Sequence, residues 1–353
     1  MCNGQLPRET LTFGRATALT AFGVCLAFIA GAAVAGEPLQ VTADSTTVRI
    51  CAGNQLLVGY RYADVPFKPY VEQFCSPAGV NVLRDSPHDH KHHHGLMFAV
   101  AVNGVDFWIE VDRAGRQAHR RLGDVCIDGQ GGLNRAAFTE DLDWIHPGDQ
   151  KVLIQEQRTI GVYQAEDLRA SLLAWQGRFT LPRGASPATL TGSPYFGLGM
   201  RFVQSMDSDG RFLNADGKAG VEGTNNARSK WCAYAAQAEG KPVTVAMFDH
   251  PGNLRHPAVW FTMDSPFAYL SATTNLSKEP FTVTGNKPLL LRWAVGLWDG
   301  TADASRIDKL YRRWIGLPVN RAAHPLQLSD KQPGGQVPTC DGAEVNGRRW
   351  SGS

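Results

Sequence analysis

The chain has 353 residues, with 35 Lys or Arg against 33 Asp or Glu and a formal net charge of +2. That near-neutral balance, with no long basic run and no aromatic-plus-basic stripe, argues against nucleic acid as a partner and against acidic membrane surfaces.

The N-terminus carries Arg8 and Arg15, an apolar stretch from Ala16 to Ala30, and Ala33-Val34-Ala35 before Gly36. A positive head, a short apolar core and a small-x-small site make an export signal over 1–35. The apolar core is shorter than the roughly 20 residues of a spanning helix. Val24 before Cys25 is too bulky for a lipoprotein cleavage site. The expectation is a periplasmic or secreted protein, free of the membrane after cleavage, starting near Gly36 with a charge of +1 once Arg8, Arg15 and Glu9 are lost. Five cysteines would remain, Cys51, Cys75, Cys126, Cys232 and Cys340. Their wide spacing, odd number and lack of a CxxC pair fit neither a disulfide framework nor a thiolate zinc site, though one disulfide remains open.

Residues 36–317 read as one domain. "TTVRICAGNQLLVGYRY" gives two alternating runs around Ala52-Gly53-Asn54, a hairpin pattern. In "LMFAVAVNGVDFWIEV" the pair Asn103-Gly104 supplies the positive-φ residues of a type I′ turn. "PVTVAMFDH", "AVWFTM", "PFAYLSATT" and "PFTVTGNKPLLLRWAVGLW" repeat this strand-and-turn pattern. The predicted fold is all-β, a large antiparallel β-sandwich with a C-terminal helix packed on it. That helix is read from Ile307, Leu310, Tyr311 and Trp314, one apolar stripe in "TADASRIDKLYRRWIGLP", with Thr301 or Asp303 as cap and Gly316 and Pro318 as the stop. Residues 318–353, rich in Pro, Gly and polar residues, are expected to be disordered.

"SPHDHKHHHG" places five of ten histidines, His88, His90, His92, His93 and His94, within seven positions. If 88–94 is extended, His88, His90, His92 and His94 share one face and His93 opposes them. Such spacing suits two ligands of a divalent metal ion, with a third from elsewhere, or acid/base work, or a solvated loop. "FDHPGNLRHPAVWF" forms a second constellation. Asp249 and His250 follow a strand, and Arg255 and His256 sit in the loop beyond. An Asp with two His and an Arg can supply a ligand, a proton shuttle and an anion clamp, or Asp249 can simply bond nearby amides. In "FKPYVEQF" Lys68, Tyr70 and Glu72 read as the wet face of a strand.

These segments, with "YFGLGMRF" and "LRWAVGLWDG", resemble a bacterial family labelled PmoA-like, "methane oxygenase PmoA" or DUF6807, through the paired motifs DHxHHxG and DHPxNxRHP. Its shared polar positions fall here on Asp89, His90, His92, His93, Asp249, His250, Asn253, Arg255 and His256, while members vary at His94. The family's WxDY-like stretch reads Trp231-Cys232-Ala233-Tyr234, with Ala233 in place of a carboxylate. A membrane-embedded methane monooxygenase subunit needs several apolar spans, and none follows the signal. The resemblance instead implies a role in saccharide breakdown.

The leading expectation is therefore an exported lyase or hydrolase acting on a glycoside or oxidised sugar, with a small-molecule or oligosaccharide substrate. His90, His93, His250, His256 and Asp249 are the candidate catalytic residues, and His90, His92 and His250 the candidate metal ligands. Arg255, Asn253, Trp108 and Trp260 are the candidate substrate contacts, the tryptophans as stacking platforms. The alternatives are a non-catalytic carbohydrate-binding β-sandwich and a periplasmic metal carrier. An enzyme predicts that the two motifs face one shared cleft.

Overall fold

A computed structural model describes residues 37–317 apart from 131, 132, 166, 168, 208 and 286. The expected signal peptide and C-terminal tail lie outside the described residues. The strands are, in chain order, β1 (Leu39–Ala43), β2 (Thr47–Ala52), β3 (Gln55–Arg61), β4 (Tyr70–Phe74), β5 (Leu96–Ala99), β6 (Ala101–Val102), β7 (Val105–Asp106), β8 (Arg116–Gln130), β9 (Leu133–Ile145) and β10 (Val152–Ala165). There follow β11 (Ala170–Thr180), β12 (Ala188–Thr191), β13 (Gly197–Arg201), β14 (Arg211–Asn214), β15 (Trp231–Ala238), β16 (Lys241–Asp249), β17 (Val259–Met263), β18 (Tyr269–Thr273), β19 (Phe281–Val283) and β20 (Leu289–Asp299). Two helices, α1 (Gly220–Thr224) and α2 (Ala304–Ile315), complete the order.

All pairings between these strands are antiparallel. The first sheet runs β1-β2-β3-β4-β5-β13-β18-β17, the second β14-β15-β16-β20-β11-β10-β9-β8, and a small third β19-β12-β6-β7. Both expected hairpins form. Gly53 turns β2 into β3 at φ 54°, and Asn103 and Gly104 turn β6 into β7 at φ 51° and 81°. The second arm is only two residues long, because the Asp106 carboxylate accepts from the amides of Trp108 and Ile109 and starts a turn.

Period-two burial makes the two large sheets meet. On β9, Phe138, Glu140, Leu142 and Trp144 are buried between the less buried Thr139, Asp141 and Asp143. From the first sheet, the Phe98 ring reaches Trp144, Phe179 and Trp293 of the second at 5.2–6.0 Å. The arrangement is sandwich-like, with one hydrophobic cluster drawing on both sheets. A polar knot crosses it at Arg158, which is fully buried. Its guanidinium donates to Glu156 and Gln117 at 2.8 Å in its own sheet, and to the Tyr60 hydroxyl and Pro69 carbonyl at 3.0 Å on the other side. Tyr60 in turn donates to Glu140.

Helix α2 covers the outer face of the second sheet, where Ile307, Leu310, Tyr311 and Trp314 bury against Ala246, Phe248, Ala294 and Trp298. Asp303 is its cap, accepting from the Arg306 amide at 2.8 Å. Covered on both faces, β20 reads as the near-continuous apolar run LLLRWAVGLWD. No described helix is long and apolar enough to cross a membrane. Cys51 is disulfide-bonded, and Cys75, Cys126 and Cys232 are free thiols.

Candidate functional site

The histidine run is not extended. Two consecutive turns form it, closed by the His90 amide on the Pro87 carbonyl (3.0 Å) and the His93 amide on the His90 carbonyl (2.9 Å). Pro87 and Asp89 are turn formers, and they override the strand reading. The shared face of His88, His90, His92 and His94 therefore does not exist. Instead the rings of His90, His92 and His93 gather at centroid distances of 4.6–5.7 Å. His88 is exposed, and His94 turns to a separate set of partners.

Beneath this loop lies the outer face of the first sheet. Phe98, Leu198, Ala272 and Trp260 are in register and point at the second sheet, so Met97, Gly199, Ser271 and Phe261 point away from it, with Arg201 and Tyr269 on the same outer face. A Cβ on Gly199 would meet the Trp108 ring at 2.9 Å, so glycine lets that ring lie on the strand. His93 packs near Tyr269 (5.0 Å), Phe267 (5.7 Å) and Trp108 (6.2 Å). The Arg201 guanidinium lies 3.5 Å over the Phe267 ring, 3.6 Å from Asp89 and 3.9 Å from Asp207.

Buried polar atoms normally find partners, yet six here have none: His93 Nδ1, Trp108 Nε1, Arg201 Nε and Nη1, the Tyr269 hydroxyl and Ser271 Oγ. Burial and the neighbouring His92 hold the His93 imidazole down to about 2, so it is neutral. Burial also lowers Arg201 and raises Tyr269. At the rim stand His90 and Asp89, whose side chains are 36% and 34% exposed, bonded through His90 Nδ1 and Asp89 Oδ2 at 3.1 Å. Burial opposes ionisation of Asp89 but is outweighed. The His90 bond and Arg201 hold its carboxyl below the usual range.

A charged chain adjoins the loop. Lys68 donates to Glu110 (2.6 Å), His94 bridges Glu110 (2.9 Å) and Asp85 (2.6 Å), and the Tyr70 hydroxyl donates to Asp85 (3.1 Å) while its ring stacks on His94. Burial lowers Lys68 against the pull of Glu110. Burial likewise opposes charge on His94, but the two carboxylates prevail and raise it. Lys68 is thus a buried ion, not a residue on the wet face of a strand.

The second motif runs from the end of β16, which pairs with β15 and β20 in the second sheet, to the start of β17, which pairs with β18 in the first. The buried Asp249 carboxylate accepts from Asn253 Nδ2 (2.6 Å), His256 Nδ1 (2.7 Å) and the Ala258 amide (2.8 Å), and burial raises its pKa. Asn253 also pins the loop to the Arg292 backbone in both directions. Arg255 donates to the carbonyls of Thr274 and Pro280 and pairs with Glu279, so its guanidinium is committed to the loop. Trp260 is fully buried on the inner face and donates to Ser229, which makes it a core residue with no ring face for stacking. Trp108 is 1% exposed and already stacked on Phe196.

His250 contacts Arg292 and Trp314 on the outer side of the second sheet. No hydrogen bond, ion pair or ring contact joins the two motifs among the described residues. The two motifs thus form two clusters with no direct bond between them among the described residues. His90, His92 and His250 do not come together as a metal set, and no group of three His, Cys, Asp or Glu among the described residues is placed to hold an ion. Sequence reading missed Arg201, Tyr269, Ser271, Asp85 and Glu110. Arg201 closes the quoted "YFGLGMRF", but nothing local marks it as facing the histidines.

Fold and site together define a mostly β protein with a C-terminal helix and a histidine-lidded polar patch on one sheet's outer face. The chain belongs to a family of unknown function, DUF6807, whose model matches residues 47–312. No curated protein matches it in sequence. Among solved structures, an α-galactosidase from Lactobacillus brevis is similar over 78% of this chain and 42% of its own, at 5% identity and TM-score 0.45. A GH36 α-galactosidase from Geobacillus stearothermophilus is similar over 74% and 41%, at 11% identity and TM-score 0.45. Another from the same organism, solved with stachyose, gives 78% and 43%, at 10% identity and TM-score 0.40. This chain spans less than half the length of these proteins.

Proposed function

We propose that this protein is an exported enzyme of carbohydrate breakdown, a lyase or hydrolase acting on a glycoside or oxidised sugar at the outer face of the first sheet. The two large sheets are read as a β-sandwich that displays this face. One observation carries the reading. Five buried side chains, His93, Trp108, Arg201, Tyr269 and Ser271, hold unpaired polar atoms in one patch under the solvent-reached His90 and Asp89. Leaving such groups unbonded costs about 1–3 kcal/mol each, a cost that a polyhydroxylated ligand would offset.

Asp89 on His90 Nδ1 fixes the tautomer that leaves Nε2 as a base. The neutral His93 adds a hydrogen-bonding imidazole, and Arg201 stabilises negative charge developing on a carbonyl or leaving oxygen.

The test is product analysis by mass spectrometry with panels of glycosides and their keto derivatives. Wild type should turn over at least one, and His90→Gln and Arg201→Gln should lose about 10²-fold or more while remaining folded. Ligand binding without turnover would establish the carbohydrate-binding alternative instead, and full activity in both variants would remove the patch from the chemistry.

A further inference from the structure

His250, left aside by the histidine patch, stands in an arrangement of its own. Its Nδ1 accepts from the Gly252 amide at 2.9 Å, so that nitrogen carries no proton. Its Nε2 lies 2.9 Å from Arg292 Nη1. A neutral imidazole has one N–H, and with Nδ1 accepting, that N–H is on Nε2. Guanidinium nitrogens only donate. Two donors therefore face each other, and the pair lacks an acceptor. Burial and the Arg292 charge hold His250 down at about 4, which keeps it in this neutral form at physiological pH.

The surroundings fit a ligand. Arg292 is half-buried and pairs with no carboxylate among the described residues, and burial alone lowers its pKa. Arg292 and Trp314, both touching His250, line an open, shallow hollow on the outer face of the second sheet. Thr159, Tyr163 and Gln176 add hydroxyl and amide groups to its wall. A guanidinium, an imidazole N–H and neutral polar groups beside an indole make a receptor for an anion attached to a hydroxylated body.

We infer that this hollow beside α2 is a second ligand site, in which an oxyanion, the carboxylate of a sugar acid or inorganic phosphate, bridges His250 Nε2 and Arg292. The site is independent of the reaction proposed at the first sheet, since no contact joins the two clusters among the described residues.

Calorimetric titration of the whole mature chain with sodium glucuronate, inorganic phosphate and glucose tests it. At least one anion should bind and glucose should not, and which anion binds identifies the source. Arg292→Gln and His250→Asn should each weaken binding about ten-fold or more, with unchanged far-ultraviolet circular dichroism. Should Arg292→Gln fail to fold, His250→Asn reads the same outcome. Absence of binding by both anions, equal binding of glucose, or undiminished affinity in the folded variants would overturn the assignment.

Discussion

Replacing Glu110 by Ala isolates the charged chain beside the histidine loop. The Lys68 side chain is 0% exposed and Glu110 12%, and their ion pair spans 2.6 Å. Removing the carboxylate leaves a buried ammonium without its counter-ion and takes one of two acceptors from His94. Stranding a buried charge costs about 3–5 kcal/mol, a large share of the about 5–15 kcal/mol that holds a domain together. At about 2–4 °C per kcal/mol for a domain of this size, the melting midpoint should fall by roughly 6–20 °C. Urea and thermal denaturation followed by near-ultraviolet circular dichroism would read it. The double variant Lys68→Met with Glu110→Gln should recover most of the loss, since it removes the orphaned charge and keeps an acceptor for His94. A single-variant cost below about 1 kcal/mol, or no recovery in the double variant, would refute the view that burial of Lys68 dominates.

Three further outcomes are expected. Gly104→Val meets nothing within 4 Å but must adopt φ near 81°, so denaturation should show a loss of about 1 kcal/mol or more; an unchanged midpoint would place the strain elsewhere. Because burial holds His93 near 2 instead of 6.5, the unfolded chain takes up a proton that the folded one refuses, and stability falls as pH drops below about 6.5. His94 acts oppositely: its raised pKa adds stability that is complete below 6.5 and lost as pH rises through the folded value. Denaturation across a pH series should thus show a shallower acid decline for His93→Asn than for wild type, and equal slopes would count against a neutral buried His93. Intact-mass measurement of exported protein should give a chain starting at or near Gly36; a species retaining residues 1–30 would argue against a cleaved signal.

Local features were legible. Asn103-Gly104 needs only its own backbone preference to turn, and the Ile307, Leu310, Tyr311, Trp314 stripe needs only the helix period. Long β8–β11 went unnamed because they bury Glu140, Glu156 and Arg158, the last of which meets Gln117 and Tyr60 at 41 and 98 residues' distance in sequence. The histidine loop was conspicuous, but its geometry was decided by Pro87 and Asp89, and its floor by Arg201, Tyr269 and Ser271, which β13 and β18 supply from remote sequence. Similar residue types in two motifs invited one site. Strand pairing, which no single segment encodes, instead hung the second motif between β16 of the second sheet and β17 of the first.

The knot around Arg158 has a consequence for the loop it never touches. Contact between apolar faces is non-directional, so two such layers can slide against each other at little cost. Arg158 acts as a dowel between them. A slip by one residue, about 3.3 Å, would part it from both Tyr60 and Pro69, whose bonds span 3.0 Å. What it supplies is alignment more than strength. Pro69, gripped by the dowel on one side, lies between Lys68 and Tyr70, which hold Glu110 and Asp85 on the other. A substitution at Arg158 deep in the core should therefore be felt at the surface as a misplaced Lys68, through three consecutive residues of backbone.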